Sequence, residues 1–210
     1  MMNITLTLPL NYLFMFLDFT FPLYWDDMAS DEKLKVVPLL ESCAEYQKKV
    51  LNNMYFFPFY QIERVQNIHL RRCYEVQLKH ISDKNKRIGG AKERLLYHGT
   101  TNKCTKAIMN KGFDWRFAGQ NGNYFALHAS YSAHPTYSKP TMDGTQRMFL
   151  VRVLTGLHTL GQKDMKLPPP RDLRASHDRF DSVVDNMLQP NMFVVFQDHQ
   201  AYPDYLITFK

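Results

Sequence analysis

From Ile62 to Ile81, apolar residues recur at helical intervals (Ile62, Val65, Ile68, Cys73, Val76), while Arg64, Arg71, Arg72 and Lys79 fall outside that stripe. The spacing predicts an amphipathic helix, and its polar end, Ser82 to Gly90, reads as a loop. Earlier, the polar break Asp26–Asp31 precedes a second predicted helix, with Ser30 or Asp31 placed to cap it. A strand is predicted at Leu95–His98, closed by Gly99-Thr100-Thr101. Thr101 then suits the N-cap of a short helix with Cys104, Ala107 and Ile108 on one face, stopped by Gly112 in the left-handed C′ position. Beyond it the pattern turns to short strands at Asn123–Ala126, Met148–Leu154, Met192–Phe196 and Tyr205–Phe209. Asp198 and His199 read as the turn between the last two. Loops carrying Pro135, Pro140, Gly144 and Pro168-Pro169-Pro170 separate the strands. Helices first and strands later predict an α+β domain rather than a doubly wound sheet.

The first residues change this picture little. Ile4 to Tyr24 is rich in Leu, Phe and Met, but Pro9, Asn11, Asp18 and Pro22 interrupt it. A membrane span wants about 20 predominantly apolar residues, and a signal peptide wants an early positive charge, whereas the first basic residue is Lys33. Residues 1–21 are therefore read as a hydrophobic extension, non-native or poorly specified, with a membrane anchor as the alternative, and residues 22–210 as the folded domain.

At 210 residues, 45% hydrophobic and 22% charged, the chain suits one globular domain with a sizeable core. Its 15 Phe, 12 Tyr and 2 Trp can also line a pocket for a planar ligand. The net charge of +6 and pI of about 9.1 favour an anionic partner, a phosphate-bearing small molecule or nucleic acid. The basic residues are dispersed, however, and the densest run, Lys79 to Arg94, reads as a solvated helix end and loop. Three widely spaced cysteines (Cys43, Cys73, Cys104) form no CxxC pair and suggest a reducing compartment. His128 and His134 lack acidic or thiol company at metal-ligand spacing, so no metal is implied. There is neither GxGxxG nor GxxxxGK[ST], so a nucleotide would be bound without a Rossmann fingerprint or P-loop.

Seven stretches, in order, carry a family likeness: Trp25-Asp26-Asp27-Met28, Ile62-Glu63-Arg64-Val65-Gln66-Asn67, Leu95-Leu96-Tyr97-His98-Gly99-Thr100, Gly112-Phe113-Asp114, Tyr124-Phe125-Ala126, Val151-Arg152-Val153-Leu154-Thr155-Gly156, and Phe193 to Phe209. From about Pro22 to the C-terminus the chain resembles the catalytic domain of the PARP superfamily, and within it the macrodomain-containing mono-ADP-ribosyltransferases. The resemblance implies an ADP-ribosyltransferase fold: two packed antiparallel sheets with flanking helices around an NAD⁺ cleft. It also implies NAD⁺ as co-substrate, no metal, and acceptor proteins as partners, this chain itself among the candidates. Nucleus and cytoplasm are the implied location, with no membrane partner.

By the same resemblance the catalytic positions fall on His98, Tyr124 and Met192. The NAD⁺-binding set falls on His98, Gly99, Thr100, Tyr124, Phe125, Ala126, Ser132 and Tyr137. In these roles His98 would donate to a ribose hydroxyl, and the Gly99 backbone would meet the nicotinamide amide. Ser132 would add a hydroxyl donor, with Tyr137 and Tyr124 enclosing the nicotinamide ring. Polymer-forming relatives keep a glutamate at the third position. Met192 has neither charge nor acceptor, so the expected product is one ADP-ribose unit per site. Structured RNA ends are a second conceivable acceptor.

The sequence departs from the family pattern before Tyr124. Ala118-Gly119-Gln120-Asn121 runs straight into Gly122-Asn123-Tyr124, where relatives carry about six residues more, in the loop covering the donor. Loops tolerate deletion thermodynamically, but a 1 Å misplacement of a reacting group can cost roughly 100-fold in rate. The alternative function is therefore a catalytically impaired, PARP-like interaction module. A basic nucleic-acid-binding domain, marked by steep salt dependence, is a third.

Overall fold

The strand from Gln146 to Leu154 organises the molecule, because both of its faces are apolar and both are covered. Side chains alternate across a strand: Phe149, Val151 and Val153 enter one buried cluster, Met148 and Leu150 another. The computed structural model describes residues 21–51, 59–114 and 122–210. Its strands are β1 (Leu34–Pro38), β2 (Phe59–Asn67), β3 (Glu93–Thr100), β4 (Asn123–Ala126), β5 (Gln146–Leu154), β6 (His158–Leu160), β7 (Ser182–Val184), β8 (Met192–Val195) and β9 (Ala201–Phe209). The helices are α1 (Ala44–Leu51), α2 (Ile68–Lys84), α3 (Asn102–Lys111) and α4 (Ala129–Ala133), with a 3₁₀ turn at Lys86–Ile88.

The strands run in the order β1-β2-β9-β5-β3-β4-β8-β7-β6. β3 pairs with β5 along its whole length, from Glu93 opposite Leu154 to Thr100 opposite Arg147. With β4 it shares only Tyr97 opposite Ala126. The ribbon is thereby divided into two antiparallel halves, and the largest core cluster takes Leu96, Phe149 and Val151 from one and Phe125, Val184, Phe193 and Val195 from the other. The fold is α+β as expected, but the two halves stay joined through the Tyr97–Ala126 pair as one nine-stranded sheet, in which β6 and β7 run parallel. Helices α1 and α4 contribute Tyr46, Ala129 and Ala133 to the cluster on the opposite face of the larger half. Helix α2 covers Leu154 and Tyr202 with Leu70, Tyr74 and Ile81.

Several expectations need correction. The stretch from Ile62 is strand up to Asn67 and helix only from Ile68. Asn67 caps that helix by accepting from the Leu70 N–H at 3.0 Å. The buried face of α2 is Leu70, Arg71, Tyr74 and Ile81, whereas Val76 is exposed. Arg64 and Arg71 are buried, not peripheral: Arg64 pairs with Asp26 and Glu45, and Arg71 with Glu75 while lying over the Tyr74 and Tyr202 rings. No helix follows the Asp26–Asp31 break; β1 does. Ser82–Gly90 is not all loop, since α2 runs to Lys84 and the 3₁₀ turn follows. Thr101 caps α3 as expected, accepting from the Cys104 N–H. The inward face of α3 is Thr105 and Ile108, however, while Cys104 and Ala107 are exposed. Gly112 closes the helix at positive φ but with an extended ψ of −165°.

Candidate active site

His98 stands where β3 and β4 part. Its ring packs edge-on to Phe113, 5.1 Å between centroids, and tilted against Phe125 at 5.6 Å. Nδ1 lies 2.8 Å from the main-chain oxygen of Tyr124. A carbonyl only accepts, so Nδ1 carries the hydrogen and donates it. Burial pushes the imidazole below its ordinary pKa, against the Tyr124 bond, which raises it. The neutral ring then has Nε2 as an acceptor. In this tautomer the free nitrogen of His98 offers an acceptor, where the expectation was a donor.

Gly99 and Thr100 continue β3 beyond its single pair with β4, opposite Met148 and Arg147 of β5. The absent side chain at Gly99 has a packing cause. A Cβ there would lie 2.3 Å from the Ser132 carbonyl oxygen and 2.7 Å from the Tyr137 Cβ. The α4 segment therefore sits directly on β3 at this point, and the Ser138 hydroxyl ties it down by donating to Ser132 O (2.8 Å) or Arg147 O (2.7 Å). Ser132 is buried, on helix α4 rather than in a loop. Tyr137 is 42% exposed and stacks on Tyr131, 4.9 Å between centroids, with the two hydroxyls 2.7 Å apart. That bond, followed by burial, pushes the Tyr131 hydroxyl up to about 12.

Tyr124, 39% exposed, presents its ring on the open face of β4, while Phe125 and Ala126 are buried, Phe125 in the core beneath His98. Thr100 is likewise buried. Phe125 therefore backs the site from the core side, whereas Ala126 shares the face of Tyr124. Met192, on the strand next to that of Tyr124, lies opposite Ala126 in register and is partly buried. The chain enters β4 through Gly122 at φ +103°, where a Cβ would fall 2.6 Å from the Val194 Cγ1. The shortened stretch 118–121 lies outside the described residues. Two side chains that the sequence reading did not single out also belong here. Tyr131 is masked by its Tyr/Ser-rich surroundings, and Asp185 accepts at Oδ1 from the N–H groups of Asn191 and Met192, both at 3.0 Å.

The arrangement offers a ligand aromatic rings and a hydrogen-bond acceptor. Tyr137 lies against Gly99 where β3 has no pair with β4, Tyr124 is partly exposed on β4, and the free nitrogen of His98 is an acceptor. Comparison with known proteins decides which such ligand-binding family this is. The model of the poly(ADP-ribose) polymerase catalytic domain matches residues 39–184. The chain belongs to that family. It is 38% identical over 198 residues to the human protein mono-ADP-ribosyltransferase PARP14, an alignment covering 90% of this chain and 11% of that protein. It is 39% identical over 201 residues to mouse protein mono-ADP-ribosyltransferase PARP12, covering 90% and 27%. With mouse protein mono-ADP-ribosyltransferase PARP11 the identity is 30% over 217 residues, covering 90% and 64%. This PARP catalytic domain thus spans about a tenth of the length of PARP14 and about a quarter of PARP12.

Proposed function

We propose that this chain transfers a single ADP-ribose unit from NAD⁺ to acceptor side chains and releases nicotinamide. The observation that carries this reading is the hydrogen bond from His98 Nδ1 to Tyr124 O, which fixes the imidazole with Nε2 turned to accept. Nε2 would receive a ribose hydroxyl, Tyr124 and Tyr137 would hold the nicotinamide ring between them, and the Gly99 peptide would meet its amide. When the C1′–N bond breaks, its electron pair passes to the nicotinamide nitrogen, so the leaving group departs neutral and needs no acid. The acceptor oxygen or nitrogen then bonds to C1′, and any proton it carried passes to solvent. Catalysis consists of orienting the ribose and accommodating positive charge as it develops, as in glycoside cleavage.

Single-unit transfer rests on Met192. Elongation needs a ribose hydroxyl activated as nucleophile, and a thioether offers neither charge nor a strong acceptor. The names of the relatives point the same way. Incubation of the purified chain with labelled NAD⁺, beside His98→Ala, tests the reading: label retained by the wild type and lost in the variant is expected. A folded wild type that retains no label and releases no nicotinamide refutes transfer and marks an interaction module instead.

A further inference from the structure

Asp185 lies one residue beyond β7, and strand register fixes the side of the sheet it occupies. Val184 is opposite Phe193, and Phe193 is opposite Phe125. Cross-strand partners share a face, and all three enter the main core. Tyr124, Val194 and Val183 therefore lie on the other face, as do Ala126 and Met192. By the same alternation Asp185 falls on the face of Tyr124 and Met192. Its carboxylate is not loose there, because the N–H groups of Asn191 and Met192 both donate to Oδ1 at 3.0 Å. Asp185 is also the smallest of the influences that push up the hydroxyl of Tyr131, itself bonded to Tyr137.

We propose that Asp185 is a further positioning residue of the transfer reaction: held by the backbone of the third position, it places beside the cleft a fixed negative charge that Met192 lacks. The inference rests on the transfer reading above. A carboxylate oriented in advance by two peptide N–H groups needs no rearrangement as the ribose becomes cationic, the condition under which electrostatic assistance is largest. It acts through space and through the Met192 backbone rather than by touching the reacting carbon. It favours the transition state over bound NAD⁺, because positive charge on the ribose grows as nicotinamide leaves.

Two variants separate charge from bracing. Asp185→Asn keeps an oxygen that accepts from both N–H groups and removes the charge, while Asp185→Ala removes both. Nicotinamide release is measured against NAD⁺ concentration, with each protein kept below its own melting temperature. Asp185→Asn is expected to lose about tenfold in kcat with KM for NAD⁺ and Tm unchanged, and Asp185→Ala to lose at least as much kcat. An active wild type with an Asp185→Asn variant of equal kcat overturns this proposal alone, because Asp185 would then only brace the loop. A wild-type chain that releases no nicotinamide overturns it together with the transfer reading.

Discussion

The Nδ1–H of His98 is committed to the carbonyl oxygen of Tyr124, 2.8 Å away. One residue of the site therefore sets the tautomer of another. The bond crosses the line where β3 and β4 separate, so it also clasps the two halves of the sheet at the cleft. Replacing His98 with alanine removes both the Nε2 acceptor and the clasp. We expect a loss of at least about 100-fold in nicotinamide release, together with a lower Tm. Glutamine should recover part of the Tm but little of the rate, which a thermal melt run beside the assay will separate.

Gly99→Ala tests the packing of α4 on β3. The new methyl carbon would meet the Ser132 oxygen at 2.3 Å and the Tyr137 Cβ at 2.7 Å, and the oxygen belongs to backbone that cannot rotate away. A destabilisation of about 2 kcal/mol is expected, read from the urea midpoint. Activity should fall further than stability alone accounts for, because relief of the clash moves Tyr137.

Asp181 is nearly buried and holds four partners: Lys84, Asn85, Arg171 and the Leu157 N–H, at 2.7 to 2.9 Å. It ties the end of α2 and the turn after β5 to the start of β7. Asp181→Ala leaves the Leu157 N–H and the Asn85 amide without this acceptor and Lys84 and Arg171 with Asp178 as their remaining carboxylate, and should cost about 2 kcal/mol. Since β7 leads into Asp185, kcat should drop as well. Chemical denaturation of the variant, with a rate measured at low temperature, checks both expectations.

Several elements that carry these residues are legible in the sequence, and those that are not have identifiable causes. The bounds of β4, Asn123–Ala126, emerge as read. So does the Thr101 cap. Strand β2 was read as helix because its alternation is hidden by polar residues: Arg64 and Gln66 are buried, satisfied by Asp26, Glu45 and each other. With those two taken as exposed, Ile62 and Val65 mimic a helical i, i+3 pair. Asp185 left no trace in the pattern, because its role depends on register between β7 and β8, which joins residues remote from His98 in the chain. The acceptor state of His98 Nε2 is hidden for a similar reason, since only the Tyr124 carbonyl reveals the tautomer.

Stability should depend on pH through two histidines. Burial lowers the pKa of both His98 and His158, with Lys92 and Arg94 adding to the effect at His158. An unfolded histidine titrates near pH 6.5, so below that value the unfolded chain binds protons that the folded chain refuses. Stability is therefore expected to fall as pH drops through about 6.5 and to level off once the folded rings protonate. Melts between roughly pH 7.5 and 5 should show this slope, and a His98→Gln, His158→Gln double variant should show a shallower one.

The most direct test of single-unit transfer by this cleft is to count ADP-ribose units on each modified side chain by mass spectrometry after exhaustive reaction with NAD⁺. One unit per site in the wild type, and none in His98→Ala, is the expected result. Chains of two or more units would show that Met192 does not prevent elongation, and would contradict the role assigned to the third position.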